Sequence, residues 1–373
     1  MIVHLTRATR HVLFWSLIAV AVLMSAARIF LADIDAYQAE LEQKIRRISG
    51  IPVHIGSLEA GLRGFNPEVI LKGISIEAAD PASKPDIQLR EIRLGIDFLA
   101  LLLSRDWLSA SRVTLVGADI GIIRREDGSL MLKGLQASDE PPLWLLQGGK
   151  YEILDSQITW QDLKRHGKPV HFDRFDLVLK NHYFDQSHEV HLLSTLPEQY
   201  GDSLRISADI TGNIFEPDNF AGQIYLEGTD LQASALVTGD LPLGFNLQSG
   251  AGDVRVWSLW RNASPYQVDG YIQAQQVKIS KNQGKPIALD TFEGSFSWSD
   301  EEGRWRLAGY DVNVFANQQR WPDGAFYLQQ DPQGNLGAVI DREMALAAGI
   351  RRSSEAETRR RTYSAKTFFY RNR

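Results

Sequence analysis

The feature that most constrains this chain is a period of two. Leu204, Ile206, Ala208 and Ile210 alternate with Arg205, Ser207, Asp209 and Thr211. Phe292, Phe296 and Trp298 share a parity with Gly294, against Thr291, Glu293, Ser295 and Ser297. Val268, Ile272 and Ala274 repeat the pattern, and after the polar tip Asp300-Glu301-Glu302-Gly303, Trp305 and Leu307 alternate with Arg304 and Arg306. Alternate side chains leave opposite faces of a strand, so each segment has one apolar and one wet face. Turn signals at Pro67, Asp80-Pro81, Asp127-Gly128, Gly148-Gly149, Thr211-Gly212-Asn213 and Asp323-Gly324 separate the segments. The reading is a mainly β protein, mostly antiparallel. Its apolar faces either meet in a sandwich or barrel core, which pattern alone favours, or line an elongated, curved open sheet. A groove of that kind needs an apolar tenant, and acyl chains would serve.

Before the strands stands an apolar run, Val12 to Ala32, with Arg28 as its sole formal charge. About 20 apolar residues cross a bilayer, and Arg28 can snorkel to the far interface. An uncleaved anchor is the preferred reading. Val12 to Met24, followed by Ser25-Ala26-Ala27, also fits a signal peptide. Either reading exports the body. Arg7 and Arg10 before the run, and Arg28, Lys44, Arg46 and Arg47 after it, leave the charge rule for orientation undecided.

Asp33 to Ser49 is expected to form a connector helix. Ile34, Tyr37, Leu41, Ile45 and Ile48 recur at helical spacing, Glu40–Lys44 and Glu42–Arg46 are four apart, Asp33 or Asp35 can cap, and Pro52 stops the helix. A second, short helix is expected over Phe98–Ser104, capped by Asp97. It is read as a plug for one end of the sheet, with the membrane surface as the alternative. The expected segments are an N-terminus at 1–11, an anchor at 12–32, a connector at 33–49, a β module at 50–140, a continuing β region at 141–340 and a tail at 341–373. The polar stretch Gln136–Pro142 marks the internal boundary.

The net charge of −6 argues against a phosphate-neutralising nucleic-acid binder. From Arg342 onward nine Lys/Arg face three Glu, giving +6, so the rest carries −12. The tail, with Arg359-Arg360-Arg361, loses the strand pattern; the expectation is a truncated or frameshifted end, with a natural basic tail as the second option. With no cysteine, thiolate zinc and cysteine nucleophiles are excluded. His188-Glu189-Val190-His191 lacks the spacing of a zinc helix, and residues three apart on a strand face opposite ways. His166 and His171 flank a turn, and Asp173 with Asp176 is an ordinary carboxylate pair. Asn262-Ala263-Ser264 fits a glycosylation sequon without other signs of that route. No nucleophile elbow, phosphate loop or dinucleotide fingerprint occurs. The expectation is a non-enzyme with no catalytic residue, metal or cofactor.

From the anchor to about Ile340 the chain resembles the AsmA-like proteins, and within them the YhdP-like group most closely. The resemblance rests on ordered pieces: Ser49 to Gly56, then Gly64-Phe65-Asn66-Pro67, and Val69 to Ile76. Leu94-Gly95-Ile96-Asp97 with Leu101 to Arg105 follows, and then Arg124 to Gly128 and Lys133-Gly134-Leu135. It implies a single-pass protein of a bacterial inner membrane, with its body in the periplasm. Such a body would carry phospholipid toward the outer membrane along an apolar β groove, without covalent chemistry, and contribute to outer-membrane biogenesis. The groove candidates are Leu204, Ile206, Ile210, Val268, Ile272, Phe292, Phe296 and Trp298. The reading leaves room for an outer-membrane or periplasmic protein partner at the far end. A different class, an anchored scaffold for envelope assembly that carries no lipid, fits the same residues.

Overall fold

The computed structural model describes residues 34–49, 53–64, 66–76, 87–128, 130–132, 144–164, 167–182, 186–213, 220–236, 245–281, 284–301, 303–330 and 335–340. His11, Phe14, Trp15 and Ile18 are described as well. The rest of the expected anchor, the Gln136–Pro142 boundary, His166 and the basic tail lie outside the described residues. Among the described residues no helix is long and apolar enough to cross a membrane.

The chain forms two compact units, Met1–Thr238 with Gly252–Pro265, and Gly239–Ala251 with Tyr266–Arg373. The first begins with a 3₁₀ turn, Ile34–Tyr37, that runs into helix α1, Gln38–Ser49. Leu41 and Ile45, four apart on one face of α1, pack against the apolar cluster beneath. Two side chains of α1 grip the strand that follows. Gln38 Nε2 donates to the Ile55 carbonyl at 2.6 Å, and the Ile55 N–H donates to Glu42 Oε1 at 2.8 Å. This leaves Ile55 fully buried.

The strands of the first unit are β1 Val53–His54, β2 Ser57–Arg63, β3 Asn66–Ile76, β4 Ile87–Ile96, β5 Ser111–Arg124 and β6 Leu130–Leu132. They continue as β7 Lys150–Asp162, β8 Val170–His182, β9 Ser187–Thr195, β10 Ser203–Gly212 and β11 Phe220–Gln232. The pairing order is β2-β3-β4-β5-β7-β8-β9-β10-β11. Each pairing is antiparallel except β5 with β7, so the sheet is mixed. Short β1 extends pairing at the far end of β3, and β6 does the same for β5. The long β12, Phe245–Arg261, contributes its later residues here, where Trp257 packs on Tyr225 of β11 and Trp260 on Phe220.

Strict alternation breaks inside several strands. Leu71 and Ile74 are both buried in one cluster, three residues apart, with Gly73 between them at φ 61°. Leu115 and Ala118 share that cluster across Gly117 at φ 62°. A left-handed residue turns the strand over, so the apolar side chains beyond it return to the same side. Gly117 has a second reason to be glycine, since an added Cβ would meet Arg90 Nε at 2.6 Å. Arg90 passes over that glycine to pair with Asp155 Oδ2 at 2.5 Å. Asp155 is itself left-handed, at φ 48°, and its N–H donates to Asp176 Oδ1 at 2.6 Å. Asp230 on β11, at φ 49°, repeats this device with Asp253 on β12 at 2.9 Å.

The second unit contains the start of β12, most of β13 Ser264–Lys281, and β14 Ile287–Glu301, β15 Arg304–Ala316, β16 Gln319–Arg320, β17 Gly324–Gln330 and β18 Leu336–Ile340. From β13 to β18 they pair antiparallel. Its core is Val312, Val314 and Ala316, with Leu289, Phe292, Trp321 and Phe326 packed against them. Gly309 pairs with Phe326 and leaves space for its ring; a Cβ there would stand 2.1 Å from Phe326 Cε1.

The helix expected at Phe98–Ser104 forms over that span and is named α2 here. Asp97 Oδ1 accepts from the Ala100 N–H at 2.9 Å, as expected of a cap. It is not a plug. None of its residues is buried, and its large apolar side chains face outward.

A continuous apolar face as candidate functional site

Cross-strand partners on one face of a sheet touch, so register decides whether apolar residues form a continuous surface. In the first unit they do. Leu58 of β2 pairs with Leu71 of β3, Leu71 with Ile92 of β4, and Ile92 with Leu115 of β5. Leu115 pairs with Ile153 of β7, Ile153 with Leu177 of β8, and Leu177 with Leu192 of β9. Leu192 pairs with Ile206 of β10, and Ile206 with Leu226 of β11. Nine strands therefore contribute only leucine or isoleucine to this row.

A parallel row runs two residues away. It reads Ala60, Val69, Leu94, Val113, Tyr151, Leu179, Val190, Ala208 and Ile224, again paired strand by strand. At a strand spacing of about 4.8 Å, nine strands span roughly 38 Å. That exceeds twice the thickness of one acyl leaflet, which is about half of a ~30 Å bilayer core.

The face is covered at one end. Leu58 and Leu71 are buried, because α1 lies near them. Ile92, Leu115, Ile153, Leu177, Leu192, Ile206 and Leu226 are only half-buried, and Leu94 is 44% exposed. Among the described residues, α1 is the helix packed on this face.

The opposite face is not simply wet. Thr114 and Glu152, neighbours of Leu115 and Ile153, point the other way and are buried. Glu152 Oε2 accepts from Thr114 Oγ1 at 2.7 Å and from Arg63 Nη1 at 3.2 Å, and Lys150 Nζ reaches Oε1 at 2.6 Å. Burial pushes the Glu152 carboxyl up. The hydrogen bonds from Lys150 and Thr114, with the charges of Lys150 and Arg63, outweigh it and hold the pKa at about 2. The cluster ties the end of β2 to β7 and holds a charge in place; it offers no acid or base near neutral pH. His188 and His191 point to separate partners, Nδ1 of His188 to Asn181 Oδ1 at 2.7 Å and Nδ1 of His191 to Ser207 Oγ at 3.1 Å. His171 Nδ1 meets Thr159 Oγ1 at 3.0 Å.

The anticipated groove residues fall into both units. Leu204, Ile206 and Ile210 share the apolar face of β10, with Ile206 in the leucine–isoleucine row and Ile210 buried. In the second unit Val268 pairs with Trp298, Ile272 with Gly294, and Ala274 with Phe292, while Phe296 sits opposite Gly270 and Gly309. These side chains are half-buried.

A family profile described as "YhdP protein" matches residues 1–352. The chain belongs to the YhdP family. A relative in that family, the intermembrane phospholipid transporter YhdP of Escherichia coli (strain K12), is 21% identical over 345 residues, 85% of this chain. The alignment covers 24% of the relative, so the chain spans about a quarter of the curated YhdP protein it matches. No solved structure matches the chain. For this YhdP family member, sequence reading missed Leu58, Leu71, Ile92, Leu115, Ile153, Leu177, Leu192 and Leu226. Their alignment is a property of register, which no single strand's sequence carries.

Proposed function

We propose that this chain carries phospholipid, with acyl chains lying along the uncovered part of the apolar face, from Ile92 to Leu226, and headgroups kept in water. The observation that carries the reading is the unbroken leucine–isoleucine row across β2 to β11. Exposing an acyl chain to water costs about 0.8 kcal/mol per CH₂. A face that is apolar at every strand lets a chain slide from one rung to the next without crossing a polar barrier, and no bond need be made or broken. The name of the curated relative supports phospholipid as the cargo.

On this reading the protein is anchored in a bacterial inner membrane through the run Val12 to Ala32, and its body stands in the periplasm. It serves as the inner-membrane end of a path toward the outer membrane, where another protein partner would take over. It acts as a conduit and not as an enzyme.

The test is mass spectrometry of lipid extracted from the full chain purified in mild detergent. Phospholipid should accompany the wild type. Leu177→Asp and Leu192→Asp, on the half-buried part of the row, should remove it while circular dichroism stays unchanged. A folded wild-type chain without lipid overturns the proposal and leaves a scaffold for envelope assembly as the better reading.

A further inference from the structure

Helix α2 turns its apolar side outward. Phe98, Leu99, Leu102 and Leu103 are each more than 60% exposed, while Ala100, Leu101 and Ser104 face the body. These four sit at i, i+1, i+4 and i+5, forming two adjacent stripes on one side of the helix. Trp107, 67% exposed, and Leu108 extend the patch. The element is held firmly. The Phe98 N–H donates to Asn66 Oδ1 at 3.0 Å, and the Arg105 N–H closes the helix on the Leu101 carbonyl at 2.8 Å. Ser104 and Ser109 are linked through their hydroxyls at 3.0 Å.

The charges around the patch are sorted. Asp97 caps α2 and pairs with Arg112. Asp106 accepts from the backbone N–H groups of Ser109 and Leu108, which hold its carboxyl below the usual range. Arg105 is exposed and has no ion-pair partner among the described residues. A patch of Phe, Leu and Trp with an unpaired arginine at its rim has the composition of a segment that lies in a lipid interface.

Position points the same way. The chain enters the first unit through Ile34–Tyr37, which packs beside β2, and Tyr37 is itself 58% exposed. Strand β2 leads through Arg63 and Gly64 to Asn66, the residue that binds the first amide of α2. The sequence just before Ile34 is the apolar run Val12 to Ala32. A bilayer that holds this run presents its surface to the chain where it enters.

We propose that α2, with Trp107 and Leu108, seats on the surface of a phospholipid bilayer. Phe98, Leu99, Leu102 and Leu103 enter the boundary between headgroups and acyl chains, and Arg105 meets lipid phosphate. The seat sets how the first unit stands on the membrane. It does not depend on whether the leucine–isoleucine row carries lipid.

The absence of cysteine makes a direct test available, because a single introduced thiol is unique. Leu102→Cys, Leu99→Cys and the control Glu198→Cys, in the exposed turn between β9 and β10, are each spin-labelled in the full chain. The chains are then reconstituted in vesicles of phosphatidylethanolamine and phosphatidylglycerol. Relative to Glu198, the ratio of oxygen to nickel-chelate accessibility should rise severalfold at Leu99 and Leu102, with retained circular dichroism. A ratio at these sites equal to that of Glu198 overturns the proposal. So does spin–spin coupling at Leu102 that grows with protein density, which would assign the patch to a second copy. Lipid extraction from the same labelled chains in detergent, before reconstitution, is read separately, so loss of bilayer seating and loss of carried lipid are distinguished.

Discussion

Leu115 and Ile153 face each other across β5 and β7, the one parallel pairing among the described strands of the first unit. Parallel neighbours need a crossover, and the chain between them passes through β6 before returning. The apolar row runs through this change of direction without a polar residue. Continuity therefore does not follow from a run of simple hairpins; it is kept where the topology changes.

Position along the row should separate stability from cargo. Leu58→Ala, at a buried site under α1, should cost about 2–5 kcal/mol. Leu192→Ala, at a half-buried site, should cost about 1 kcal/mol or less but still lower co-purified phospholipid. Urea denaturation and lipid mass spectrometry on the same preparations check both halves.

The crossing of Arg90 over Gly117 allows a backbone test. Gly117→Val introduces a Cβ into the Arg90 side chain and a branched residue at φ 62°. The expected loss is about 2–3 kcal/mol in thermal or urea unfolding. Arg90→Ala removes only an exposed ion pair with Asp155 and should change stability by less than about 1 kcal/mol.

In the second unit, Gly309 and Phe326 should behave as a coupled pair. Gly309→Ala alone overpacks the site and should cost about 1–3 kcal/mol. Combined with Phe326→Leu, the loss should be smaller than the sum of the two single losses. A double-mutant cycle on denaturation midpoints measures this coupling.

Glu152 predicts an acid limit. Its folded-state pKa of about 2 lies below the ordinary 4.5, so the charged form is favoured by folding. The stability it contributes is fully present above pH 4.5 and is lost as pH falls through about 2. The contribution is about 3 kcal/mol. Glu152→Gln should lower stability at pH 7 by a similar amount and flatten the pH dependence between pH 4.5 and 2. Equal acid slopes in both proteins would remove Glu152 as the cause.

Much of the local structure was legible in the residues themselves. Alternation marked β10, β13, β14 and β15, since one apolar and one polar face is what a sheet surface requires. Helical spacing marked α1, and Asp97 marked the start of α2 through its side-chain cap. The order of the N-terminal pieces marked the YhdP-like group.

Only the tertiary structure decided which face each strand presents along its whole length and what lies beside it. Period two says that Leu71 and Leu115 face away from their neighbours in sequence. It cannot say that they join Leu58 and Leu226 in one row, because register is set by the backbone pairing of each strand with the next and not by any strand's own sequence. The reversals at Gly73 and Gly117 keep Ile74 and Ala118 on that row's side and break the alternation that sequence reading relies on. Composition marked Phe98–Ser104 as apolar and so as core. The fold turned most of that side outward: Ala100, Leu101 and Ser104 meet the body, and Phe98, Leu99, Leu102 and Leu103 are left uncovered.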